Sequence, residues 1–135
     1  MGGRKVIVIG RHEFTEVQKR LIEKAGLQKI KQIQHVNDIT KLIQEAKELN
    51  ADILVQAMPM HLLAQLLSSA SREGITVYSF KLEPVGLFDT EEAARRSGAD
   101  VIVPSREGTY RGMKTRALQK LIRIEIVTED VITAE

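Results

Sequence analysis

The sequence contains no cysteine, only three prolines, and few aromatics, which make up 4% of its 135 residues. Without cysteine there are no disulfides, thiol nucleophiles or thiolate metal ligands. The three histidines, His12, His35 and His61, are too scattered to suggest a zinc set, so no metal is expected. No apolar run reaches the roughly 18 residues that would cross a bilayer, and no signal-like segment opens the chain. Neither membrane spanning nor secretion is expected, and a cytoplasmic location follows by default. Excess charge of one sign is also missing: 20 basic and 18 acidic residues leave a net charge of +2. The chain therefore lacks the bulk positive field of a generic duplex binder. Its nine glycines form neither the three-glycine Rossmann fingerprint nor a Walker loop. Dinucleotides and nucleoside triphosphates are disfavoured, and no cofactor is expected.

What is present is an aliphatic, alternating α/β pattern. At 43% hydrophobic and 28% charged, residues 1–135 suit a single globular domain. Val6 to Ile9 is a continuous β-branched run of the kind found in strands covered on both faces. Thr15 and Gln18 form a capping box for a helix that ends at Gly26. Lys29 to Val36 reads as a polar edge strand, and Asn37 or Asp38 caps a second helix that stops at Asn50. Ala51-Asp-Ile-Leu-Val55 and Ala99-Asp-Val-Ile-Val103 share one form, and both predict central parallel strands. Between them, Pro59 opens a leucine-rich helix ending at Gly74, and Thr76 to Phe80 is a further strand. Leu82 to Leu87, with Pro84 and Gly86, reads as an irregular segment that could be a lid. Asp89 or Thr90 caps a short helix ending near Gly98. The stretch from Pro104 to Gly112 reads as a loop, Met113 to Lys120 as a helix, and Leu121 to Thr128 as a strand at an edge or a subunit contact. The expected architecture is an α/β, three-layer, Rossmann-like sandwich with a mainly parallel sheet of five or six strands.

In such a sheet the carboxyl ends of the strands open onto one rim, where ligands bind and helix N-termini attract anions. The rim would gather Gly10, Arg11, His12, Thr15, Gln56, His61, Lys81, Ser105, Arg106, Thr109, Tyr110 and Arg111. It is cationic, with amides and hydroxyls, and suits a phosphate-bearing ligand better than a divalent metal. Glu13, Glu83 and Glu107 are the carboxylates that could act as a base there. His12 is the sharpest candidate, because an imidazole can exchange protons near neutrality and bind phosphate when protonated. His61 reads as a surface residue, and His35 carries no functional reading. Thr15 is explained by the capping box, although its hydroxyl can also meet a phosphate oxygen. Between Ser105 and Gly112, two arginines can fork onto phosphate and Tyr110 can stack on a base. The bland alternative is an exposed connection with solvated arginines. Arg106, Arg111, Lys114, Arg116 and Lys120 form a basic run that could contact nucleic acid, or simply a solvated face.

The strand running into Arg11-His-Glu-Phe-Thr-Glu-Val-Gln18 resembles the His-x-Leu-Thr-x-x-Gln opening of small CRISPR-associated single-domain proteins, grouped with CARF-like domains and predicted ring nucleases. The resemblance continues from Ala51 to Met60, where a strand ends in Gln-Ala-Met-Pro ahead of a leucine-rich helix, and more loosely to Tyr78. Serine often precedes the histidine in those relatives, whereas Arg11 stands here, so no role for that hydroxyl carries over. The resemblance implies a homodimer that binds cyclic oligoadenylate and can cleave it without a metal, the ribose 2′-hydroxyl attacking phosphorus. In that chemistry Arg11 with Arg106 or Arg111 would stabilise the phosphate, His12 would move protons, and Gln56 or Tyr110 would meet adenine. The alternatives are a non-catalytic nucleotide sensor or assembly module, and an accessory protein that binds single-stranded nucleic acid.

Overall fold

A run of four β-branched residues stays out of water only if both faces of its strand are covered. In the computed structural model, which describes residues 3–125 and 127–134, Val6 to Ile9 are covered in this way. They lie in β1 (Arg4–Ile9), flanked in parallel by β2 (Leu27–Ile33) and β3 (Asp52–Val55). Ile7, Ile9, Ile53 and Val55 face α2 (Ile39–Leu49) and α3 (Met60–Arg72), whereas Val6, Val8 and Leu54 face α1 (Glu16–Lys24). Alternate side chains of one strand thus feed two separate apolar clusters, as the pleat requires.

Local chemistry ends the elements where the sequence suggests. The Thr15–Gln18 capping box is present, Asp38 caps α2 through the Lys41 amide, and Asn50 closes α2 in the left-handed region. β2 is an edge strand with an exposed, polar centre, and it begins at Leu27, two residues before the expected start. Pro59 is the N-cap residue of α3 rather than part of its first turn.

The second half departs from the expected parallel sandwich. β4 (Val77–Phe88) begins parallel to β3 but runs on through Leu82 to Leu87, so the expected lid is part of a strand. α4 (Glu91–Arg96), capped by Thr90, leads to β5 (Val101–Pro104). The chain then turns back into β6 (Tyr110–Lys120), which is antiparallel to both β4 and β5. The sheet order is β2-β1-β3-β4-β6-β5, so β5 is an edge strand and not a central one. The expected loop shrinks to residues 105–109, and the expected helix from Met113 to Lys120 is strand. Met, Lys, Arg, Ala, Leu and Gln are all good helix formers, but a ten-pair ladder with β4 overrides that preference. Of the expected terminal strand, residues 121–125 and 127–128 carry no regular structure, and residue 126 lies outside the described residues. Register shifts at Lys81/Leu82 and Pro84/Gly86 bend the long β4–β6 pair. The mixed sheet curls into a half-barrel.

Candidate functional site

Gly10 ends β1 with φ +143°, a backbone conformation that side chains rarely adopt. A Cβ there would stand 2.3 Å from Gln56 Oε1, so glycine lets the Gln56 side chain lie against the turn. The Gln56 amide is engaged at both ends. Its Nε2 donates to the His12 carbonyl at 2.6 Å, and its Oε1 accepts from the His12 backbone N–H at 3.2 Å. Gln32, at the end of β2, adds bonds from Nε2 to the carbonyls of Gly10 (2.8 Å) and His12 (3.2 Å). Gln32 on β2 and Gln56 just beyond β3, on either side of β1, thus fix the backbone of residues 10–12, while Arg11, His12 and Glu13 remain exposed. Gln56 was a candidate base-contacting residue. It follows the last residue of β3, and its polar groups hold the loop. Among the described residues none hydrogen-bonds the His12 imidazole.

Thr15 is likewise occupied. Its hydroxyl donates to Asp100 Oδ2 at 2.6 Å and accepts the Gln18 amide at 3.2 Å. Asp100 also accepts the Thr115 hydroxyl and backbone N–H, both at 2.7 Å, and buried Gln18 donates to Thr115 Oγ1 at 3.2 Å. These four residues tie the start of α1 to β6 and to the residue preceding β5. Burial pushes the Asp100 carboxyl up, but the bonds from Thr15 and Thr115 outweigh it and hold the group below its ordinary value. A matching knot sits at the first residue of β3. Asp52, 1% exposed, accepts Arg4 Nε at 2.5 Å, Arg4 Nη2 at 3.1 Å and the Thr76 amide at 2.9 Å. Both aspartates follow alanine in the two segments of identical form, which was the available sequence signal for them.

The arginine-bearing turn stands away from this rim. Between the level of Lys81 and that of Phe88, beside Tyr110, lie about 20 Å of strand at roughly 3.3 Å per residue. Ser105 and Thr109 close the turn on themselves: their hydroxyls lie 2.6 Å apart, and Ser105 N–H donates to the Thr109 carbonyl at 2.8 Å. Tyr110 is part-buried between Phe88 and Pro104, while Arg106 and Arg111 are exposed. Lys81 is exposed at rim level, paired with Ala117. Glu83 is held below its ordinary value by a hydrogen bond and charge attraction from Arg116. The basic run 106–120 lies along a turn and a strand, not on a helix face. The sequence-predicted residues therefore form two groups, Gly10–Thr15 with Gln56 and Lys81, and Ser105–Arg111.

Two depressions lie elsewhere: a polar one lined by Asp38, Thr40, Gln65, Ser68 and Arg72, and an apolar one lined by Leu67, Ala70, Ile75, Val77 and Leu121. Among the described residues no group of three His, Asp or Glu side chains could hold a metal ion, and no helix is long and apolar enough to cross a membrane.

No family model matches the sequence, and no curated protein does. Among solved structures, the chain is similar to the pyridoxal-5′-phosphate-dependent protein YhfS from Escherichia coli, with 24% identity and a TM-score of 0.40. That similarity covers 56% of this chain and 22% of the other. At that score it carries no argument about site or activity.

Proposed function

We propose that the parallel half of the sheet is a Rossmann-like unit whose loop at residues 10–13 binds the phosphate of a nucleotide. The observation behind this reading is the double glutamine clamp. A loop held at its backbone displays two exposed basic side chains at the carboxyl end of a central strand. Arg11 supplies a bidentate fork, and His12 a donor when protonated. Lys81, on β4, lies about 10 Å across the sheet at roughly 4.8 Å per strand, close enough to meet a second phosphate. Cyclic oligoadenylate is the first ligand class to test, because the sequence resemblance implies it.

Retention without turnover is the favoured form of this reading, since no described residue orients the His12 ring as a general base requires. The test is to incubate the full chain, with chelator, with cyclic tetra- and hexa-adenylate and with AMP, and to follow both retention and products. Retention that weakens at least tenfold in Arg11→Ala supports the site. Linear products ending in a cyclic phosphate, lost in His12→Ala, would add catalysis to binding. No retention of any of the three would overturn the proposal.

A further inference from the structure

Two apolar surfaces of this chain lie open to solvent. One is a face of the antiparallel sheet, where Leu87, Arg111 and Val103 are direct cross-strand neighbours and Pro84, Met113 and Val101 form the adjoining row. The opposite face is filled by Phe88 and Ala99 around Gly112, but on this one Leu87 is 66% and Val103 45% exposed. The other surface is the C-terminal arm, with Ile122 73%, Val127 90%, Val131 93% and Ile132 89% exposed. Isolated apolar residues on a surface are ordinary, but a contiguous sheet face and an arm of branched aliphatics mark interaction sites.

Their charges are complementary. Glu129 and Asp130 stand between Val127 and Val131 in the arm. Arg111 lies at the centre of the sheet face, with Arg106 in the adjoining turn, and neither makes an ion pair among the described residues.

The arm is poorly placed to cover the patch of its own chain. It leaves β6 at Lys120, beside Tyr78, at the far end of the strand from Arg111. Leu121 and Ile124 pack against the cluster under α2 and α3. The patch lies instead on the face where Thr115 meets Gln18 of α1. A second copy meets no such constraint, and a two-fold axis turns one arm contact into two identical ones.

We infer that the chain dimerises by exchanging C-terminal arms. The segment 127–132 of each copy lies across Leu87, Val103 and Met113 of the other, its carboxylates facing Arg111 and Arg106. This inference does not depend on the nucleotide reading.

The test is the mass of the full chain by light scattering at micromolar concentration, compared with an arm variant, Val127→Asp/Ile132→Asp, and a patch variant, Leu87→Lys/Val103→Lys. All four positions are surface-exposed, and heat unfolding checks that each variant folds; a chain ending at residue 126 is a second arm variant that leaves the patch intact. The full chain is expected to be dimeric and each variant monomeric. Mixing the arm variant with the patch variant should restore a heterodimer through one intact arm and one intact patch. A monomeric full chain, a dimer that survives loss of the arm, or a mixture that stays monomeric would overturn the inference.

Discussion

β1 and the outer part of β4 belong to one sheet yet are held by different means. Val6 to Ile9 lie between helices and are at most 1% exposed, whereas Lys81 to Val85 are all exposed. In the first region apolar burial on both faces supplies the stability. In the second, stability comes from the β4–β6 ladder, from the Arg116–Glu83 pair and from the Asp100 knot. The same secondary structure can therefore have two energetic bases, and substitutions should tell them apart.

The widest separation is expected from one substitution made in each region. Leu54→Ala opens a cavity in a fully buried site and should cost about 3 kcal/mol, whereas Leu82→Ala, at a site 39% exposed, should cost about 1 kcal/mol or less. Urea unfolding of both variants measures the difference, and equal costs would erase the distinction.

Asp100→Ala comes next, at about 2 kcal/mol, because three donors lose their acceptor at once. Its pH dependence has a definite sign. The folded carboxyl titrates below its unfolded value near 3.8, so its contribution is present above that value and is lost as pH falls through the lower, folded one. In Asp100→Asn this acid-side loss should flatten in a thermal-melt series.

Gly10→Ala should cost a similar amount, about 2 kcal/mol, because φ +143° strains any side chain and the Gln56 Cβ, 2.6 Å from the added Cβ, cannot rotate away. Its local effect should be sharper. The added Cβ displaces the Gln56 side chain, so the His12 amide should exchange hydrogen faster while the amides of Val6 to Val8 stay protected.

The parallel half was legible in the sequence because each element carried its own signal: a β-branched run for β1, a capping box for α1, an asparagine stop for α2. The antiparallel half lacked such signals. Residues 113–120 are strand only because β4 continues beside them, a partnership between distant segments that local preference cannot register. The same blindness affected the site. Strand ends drew attention to Gly10, Arg11, His12 and Gln56, but which polar groups were already engaged depended on long-range partners such as Gln32, Asp100 and Thr115. The two Ala-Asp dipeptides were noticed only as strand starts, yet each aspartate is a hydrogen-bond hub.

The knot around Asp100 also bears on the order in which the chain assembles. The Thr15–Gln18 box can close while α1 is still local, but the Gln18 side chain meets Thr115 across 97 residues, and Thr15 meets Asp100 across 85. During synthesis the start of α1 must therefore wait in water, its amide and hydroxyl bound to solvent, until the last hairpin arrives. Contacts of such long range slow the search for the native state. The first helix to be made is among the last to reach its final surroundings.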